Sequence, residues 1–421
     1  MRLPVAPHPV LAAAFSALDR ASVEWCLLRG EAELDQAGED VDLLVATADR
    51  VAATRALEEL GYVRMASWGR GSHRFFVTYD ESHDTWVKFD MVSTLDFGPH
   101  GVMNTGTAAA CLSRRRSVDG VALLVDEDRF WALLLHCILD RGDVPERHAL
   151  PLRALAASVT TDGPLARWFT AHQPRGWDAA RVLSAAREGD WESLIAIGRE
   201  MRSHARWRSK RSLALRATRA AARRMTKLRT LALEPGLTMA VLGPDGAGKS
   251  TLAAELARTF YFPVRSVYMG LYGAGPADKP PRGMIGRLGR LWSGYARALF
   301  HQARGRLVVY DRFGYDALLT QPQGMSMRTR FRRWLLSHAV PSPDMVLLLD
   351  APPPMLRARK QEEDLATLEA QRRAYLDLAT RLGNVQVVPA DRSADLVRRA
   401  VTSMIFRRYR DIRRGRAARP A

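Results

Sequence analysis

Gly243-Pro244-Asp245-Gly246-Ala247-Gly248-Lys249-Ser250-Thr251 is the stretch on which the reading of this 421-residue chain turns. It has the form GxxxxGK[ST], with the apolar run Met239–Leu242 before it and a helix-forming run, Leu252–Thr259, after it. That order is the one a polyphosphate cradle needs. Glycines let the backbone curl so that successive N–H groups face an anion, and the helix N-terminus adds its positive dipole end. Gly243, Gly246, Ala247, Gly248, Lys249, Ser250 and Thr251 are the expected nucleotide-binding residues. Lys249 is placed to reach the β- and γ-phosphates and the Ser250 hydroxyl to hold Mg²⁺.

Outward from the loop, apolar strands are expected at Leu237–Leu242, Ser266–Leu271, Leu307–Tyr310, Met345–Leu349 and Val385–Val388, with helical segments between them. Short strands of this buried type separated by helices predict a doubly wound α/β fold, a parallel sheet covered on both faces. In such a sheet the strand C-termini open on one crevice, where ligands bind. Asp311 and Asp350 each follow such a run. Either could position a Mg²⁺ shell.

The loop with its acidic Asp245 resembles that of the thymidylate kinase family, and further stretches between Gly236 and Arg410 agree with it in order and spacing. Leu307–Asp311-Arg312-Phe313 is similar to the family strand that ends in Asp-Arg-Tyr/Phe. Pro343-Asp344 through Leu349-Asp350 is similar to its "PD…LxLD" strand. Leu356-Arg357-Ala358-Arg359-Lys360, then Arg372-Arg373-Ala374-Tyr375-Leu376, look like its lid and following helix. The resemblance implies a P-loop kinase that uses ATP and Mg²⁺. It places Asp245 on the acceptor side, Arg312 against the transferred phosphoryl group or the acceptor, Arg357, Arg359 and Lys360 over the phosphates, and adenine near Asp391–Ser393. The family default acceptor is a nucleoside monophosphate such as dTMP. The Arg-Glu-Pro-Gly stretch that grips the monophosphate there is replaced here by Tyr268–Gly273, which leaves a sugar or another hydroxyl-bearing metabolite open as the small-molecule acceptor. A P-loop ATPase or switch is the reading from another class.

The front of the chain carries a different constellation. Strands are expected at Val23–Leu28, Val41–Val45 and Trp86–Val92, with a helix capped by Thr47 running to about Leu60. Asp40 and Asp42 share one side of their strand because side chains alternate with period two, and Asp90 lies on a neighbouring strand. Three convergent carboxylates can hold Mg²⁺ and activate a hydroxyl for attack on a nucleotide phosphate. With Leu28-Arg29-Gly30 upstream, the arrangement resembles the polymerase-β-like nucleotidyltransferases, which implies an N-terminal α+β domain of that type. The serine that binds triphosphate in that family is absent, since Glu31 follows Gly30. His73, His83, His136 and His148 have no ligand spacing and read as surface or helix residues.

Four segments are expected: 1–126 nucleotidyltransferase-like, 127–201 a helical appendage, 202–235 a basic helical linker, and 236–421 the P-loop domain with a basic tail. The net charge of +18 is concentrated. Eleven Lys/Arg and no acid lie between Arg202 and Arg229, and seven arginines against Asp411 between Arg407 and Arg419. A near-neutral body with two basic segments is not a uniformly basic nucleic-acid binder; those segments suit an anionic membrane surface, with nucleic acid and a solvated linker as the other readings. The apolar runs fall far short of the ~20 residues of a membrane span. Three scattered cysteines offer neither a disulfide framework nor a metal pair. A cytoplasmic address follows, peripheral to the inner face of the membrane if the basic segments bind there.

Overall fold

The computed structural model describes residues 3–36, 38, 40–65, 72–98, 101–174, 176–210, 235–269, 283–319, 325–361 and 363–417. By internal contacts the chain divides into one unit of Met1–Asp80 with Thr85–Thr226 and another of Lys227–Ala421 with Glu81–Asp84.

The first unit runs α1 (Pro9–Arg20), β1 (Trp25–Arg29), β2 (Asp40–Val45), α2 (Arg50–Glu59), β3 (Val63–Met65), β4 (Arg74–Asp80), β5 (Thr85–Val92), β6 (Asp96–Phe97), β7 (Met103–Asn104), α3 (Ala108–Ser113), β8 (Arg116–Val118) and β9 (Val121–Leu123). Five helices follow: α4 (Asp126–Leu135), α5 (Glu146–Ser158), α6 (Pro164–His172), α7 (Ala179–Glu188) and α8 (Trp191–Lys210). Seven strands form one mixed sheet in the order β3-β4-β5-β2-β1-β9-β8. Alternation along β1 and β2 builds two cores. Trp25, Leu27 and Leu43 pack with Leu11, Phe15 and Leu57 from α1 and α2. Cys26 and Leu44 point the other way, into a core shared with Phe130, Trp131, Ile138 and Phe169. The helical stretch after residue 126 therefore covers one face of the sheet.

Two local expectations are corrected. Thr47 does not cap a helix; its hydroxyl donates to the Ser93 carbonyl at 3.4 Å, a 3-10 turn occupies Thr47–Asp49, and α2 begins at Arg50. The hydroxyl is drawn to a carbonyl forty-six residues away, a contact no local pattern carries. The strand expected at Ser266–Leu271 begins earlier, at Val264, because its register with the strand Leu307–Asp311 starts at Val264↔Leu307. Most of the basic run Arg202–Arg229 lies outside the described residues, apart from the part that continues α8 to Lys210.

The second unit is an alternation of β10 (Thr238–Leu242), α9 (Lys249–Thr259), β11 (Val264–Tyr268), α10 (Gly283–Gln302), β12 (Leu307–Asp311), α11 (Met327–Ser337), β13 (Met345–Asp350), α12 (Pro353–Arg359), α13 (Leu365–Leu382), β14 (Val385–Pro389) and α14 (Ala394–Ala417). The five strands are all parallel, in the order β11-β12-β10-β13-β14. Residues 345–349 of β13 are buried throughout, as a central parallel strand requires. Val346 and Leu348 share a core with Leu291 and Ala298 of α10, Leu336 of α11 and Leu378 of α13. On the other face α9 packs against α14.

At the N-terminal ends of the strands, Asp344 ties the sheet together. One of its carboxylate oxygens accepts from Thr238 N at 2.8 Å, Thr238 Oγ1 at 2.7 Å and Gln302 Nε2 at 3.0 Å, while its own N–H donates to Thr238 Oγ1 at 3.0 Å. Asp344→Ala leaves these donors unpaired and should cost about 2–3 kcal/mol. Urea unfolding followed by circular dichroism should show the shift to lower denaturant; an unmoved midpoint would make this network incidental.

Candidate functional site

The loop leaves the central strand β10 and enters α9, so it sits where neighbouring connections diverge to either side of the sheet. Its shape depends on missing side chains. Gly246 has φ +83°, and a Cβ there would come within 2.8 Å of the Leu356 carbonyl; at Gly243 it would lie 2.7 Å from the Leu349 carbonyl. The loop is thus pressed against β13 and α12, the elements that carry Asp350 and the basic residues beyond it. Ala247 N–H bonds the Pro244 carbonyl at 3.3 Å. The N–H groups of Gly246 and Gly248 take no acceptor among the described residues, which leaves donors for an anion.

The charge geometry is more specific than the loop pattern. Lys249 Nζ donates to the carbonyls of Gly243 (2.7 Å) and Pro244 (2.9 Å) and stands 3.5 Å from Asp245 Oδ1. Arg312, from the end of β12, places a guanidinium nitrogen 3.7 Å from the same oxygen. Lys360, just past α12, reaches Asp245 Oδ2 at 3.4 Å. One half-exposed carboxylate is therefore shared by three cations from three elements. Partial burial pushes the Asp245 pKa up, but Lys249, Lys360 and Arg312 together outweigh it and hold the group below its usual value. The cluster carries a local excess of positive charge at the open edge of the sheet. Arg312 adopts φ +59°, a left-handed backbone that is costly for a residue with a side chain. That conformation turns the chain directly after Asp311.

The other residues expected here are distributed as follows. Asp311 ends β12 with an exposed side chain, its backbone in register with Val241. Asp350 ends β13 and is held in a two-pronged bond by Arg372 of α13, at 2.7 and 2.9 Å. Arg372 lies on the helix after the lid segment, as the resemblance implies, and its partner Asp350 is set by the fold. Arg359 donates to the Ala390 carbonyl at 3.1 Å, beside Asp391–Ser393, and Arg357 is exposed on α12. Of the substitute acceptor segment Tyr268–Gly273, only Tyr268 and Met269 are described.

In the first unit, β2 and β5 run parallel with Asp42 opposite Asp90 and Asp40 opposite Lys88, so the three carboxylates lie on one face as expected. Each one meets a basic side chain. Lys88 Nζ donates to Asp40 at 2.6 Å; Arg29 Nε donates to buried Asp42; His73 Nδ1 lies 2.9 and 3.0 Å from the two oxygens of Asp90. Burial raises the Asp42 pKa, Arg29 pulls it down, and Asp90 raises it further. His73 is exposed, as expected of a surface residue, and also joins this cluster through Asp90; the sequence carries no signal for that pair, because a seventeen-residue separation is bridged only by the pairing of β4 with β5.

No family model matches the chain, and no curated protein matches it in sequence. Among solved structures the chain is similar to thymidylate kinase from Candida albicans, with 15% identity over 41% of this chain and 91% of that one, at a TM-score of 0.34. The strand order and the loop, independently of that likeness, define a P-loop α/β unit. Among the described residues no helix is long and apolar enough to cross a membrane.

Two outcomes follow from the charges. Asp245→Asn removes the carboxylate that competes for three cations, and should tighten binding of inorganic triphosphate about fivefold, the equivalent of ~1 kcal/mol for one charge at 4 Å in a water-like medium. Calorimetric titration measures it; unchanged or weaker binding would show that the cations do not serve the anion. His73 has its pKa raised, first by the hydrogen bond to Asp90. Its contribution to stability is therefore fully present below the unfolded value of ~6.5 and lost as pH rises through the folded value. His73→Gln should flatten the dependence of urea stability on pH across and above that window, and a slope equal to wild type would count against the pair.

Proposed function

We propose that the second unit catalyses ATP-dependent phosphoryl transfer to a small-molecule acceptor. The observation that carries this reading is the meeting of Lys249, Arg312 and Lys360 at Asp245. A loop that only binds nucleotide needs the lysine. An arginine from β12 and a lysine beyond α12 add charge on the side where a phosphoryl group leaves the nucleotide, and a transfer reaction needs that charge. Phosphoryl transfer asks for little covalent work: positioning and charge neutralisation supply most of the rate.

In this reading the amides of residues 243–251 and Lys249 hold the triphosphate. Ser250 and Asp311 would hold Mg²⁺, which when bound neutralises charge on the β- and γ-phosphates. Asp350, bonded to Arg372, is the alternative metal-side carboxylate; its two-pronged bond also fixes that arginine toward the crevice. Arg357 and Arg359 close over the phosphates, and the bond from Arg359 to Ala390 supports an adenine position beside Asp391–Ser393. A nucleoside monophosphate such as dTMP is the default acceptor. The absence of the Arg-Glu-Pro-Gly grip favours a sugar or other hydroxyl-bearing metabolite more than a close thymidylate kinase would.

For the first unit we infer a nucleotidyltransferase-type carboxylate face that no longer works through metal. Arg29, His73 and Lys88 already engage the carboxylate oxygens that Mg²⁺ would need, and the triphosphate-binding serine is missing.

An ATP-consumption screen across nucleoside monophosphates, sugars and sugar phosphates tests the proposal: ADP release should depend on one acceptor class. Lys249→Ala should lower that turnover ~10²–10³-fold, the scale of losing one preorganised donor to the transition state. Acceptor-independent ADP release would assign an ATPase or switch, and pyrophosphate release would return catalysis to the first unit.

A further inference from the structure

The helices α10 and α11 pack on the same face of the parallel sheet and touch each other. Each buries one side against the sheet, through Leu291, Gly294 and Ala298 on α10 and Leu336 on α11. A soluble helix of this kind should be polar on its outer side. These are not. On α10 the outer stripe is Ile285, Trp292 and Leu299, at spacings of seven, with small Gly289 and Ala296 filling the same exposed line. On α11 it is Met327, Phe331 and Trp334, the last two stacked at 6.0 Å. Ile285 is 87% exposed, Met327 76% and Phe331 61%, so these side chains project rather than lie flat.

The flanking charge is of a single sign. Three arginines on α10 and four on α11 are accompanied by no aspartate or glutamate on either helix. That composition selects among occupants. A second copy of this chain meeting the face about a two-fold axis would set guanidinium groups of the same sign against each other, with no carboxylate from either pair of helices to neutralise them. A nucleic acid would satisfy the arginines but leave the aliphatic and methionine tips against phosphate. An anionic bilayer takes both: aromatic and aliphatic tips enter the headgroup–acyl boundary, and arginines stay at the level of the acidic headgroups.

We propose that the outer face of α10 and α11 is a membrane-docking surface, which seats the second unit peripherally on an anionic lipid bilayer. This goes beyond attraction of basic segments. The apolar stripes insert, and the inserted residues belong to the folded unit that carries the phosphate loop. Docking requires no nucleotide, so it stands or falls separately from the phosphoryl-transfer reading.

The test uses the full chain with vesicles of phosphatidylcholine, with and without phosphatidylglycerol. Wild type should co-sediment with the anionic vesicles and remain free of the neutral ones. The variant Trp292→Ser/Phe331→Ser/Trp334→Ser keeps every charge, including the basic segments at 202–229 and 407–419. It should bind anionic vesicles about tenfold more weakly or worse, since the apolar contribution alone is lost. Its circular dichroism and ATP affinity should match wild type. As a second measurement that needs no disruptive change, brominated lipid should quench tryptophan fluorescence in wild type and quench it less in Trp292→Phe/Trp334→Phe. Equal vesicle binding by wild type and the serine variant, or equal quenching in the phenylalanine variant, would overturn the proposal. So would a wild-type dimer that ignores vesicles and dissociates on serine substitution, or binding to a duplex oligonucleotide that depends on the same three residues while vesicle binding does not.

Discussion

Like charges do not gather at one point of a protein unless something holds them there. Here it is the single carboxylate of Asp245, inside the phosphate loop, that keeps Lys249, Arg312 and Lys360 within 3.7 Å of its oxygens. The three cations come from the start of α9, the end of β12 and the residue beyond α12. They meet only because the parallel sheet brings the C-terminal ends of β10, β12 and β13 to one edge. One carboxylate balances the cluster, and the three cations together exceed its charge. The left-handed backbone at Arg312 shows that the local chain is held against its own preference to present this side chain.

Opposite ends of the same sheet divide structural and chemical work. Asp344 and Asp350 bound one strand, six residues apart, and in sequence both look like motif acids. Asp344 spends its oxygen on Thr238 and Gln302 and fastens the closed end, whereas Asp350 grips Arg372 at the open end. Their difference follows from strand direction alone: in a parallel sheet every N-terminal end lies on one side and every C-terminal end on the other.

The carboxylate face of the first unit carries the reverse balance. Three acids on two adjacent parallel strands would repel one another, and each is answered by a base from the same sheet or its margins. Arg29 lies on β1 and Lys88 on β5, while His73 stands immediately before β4. Each of the three acids is thereby paired with a basic side chain.

Much of the second unit is legible in the sequence. A continuous apolar run marks each of the five described strands to within a few residues, and a glycine-rich turn before a helix marks the loop, because these are local signals with local causes. The parallel arrangement of those strands, the face shared by Asp40 and Asp42, and the end-of-strand position of Asp311 and Asp350 also follow from pattern. What sequence could not supply were the partners: Lys360 on Asp245, Arg372 on Asp350, His73 on Asp90, Thr47 on Ser93. The apolar outer stripes of α10 and α11 were equally hidden, since helical spacing reveals an amphipathic face but not which face the sheet will cover. Residue type and periodicity determined the elements and the loop, because those depend on neighbours along the chain. Only the tertiary structure decided which charges cancel and which apolar side chains stay in the open, because those depend on groups brought together across many residues by strand pairing.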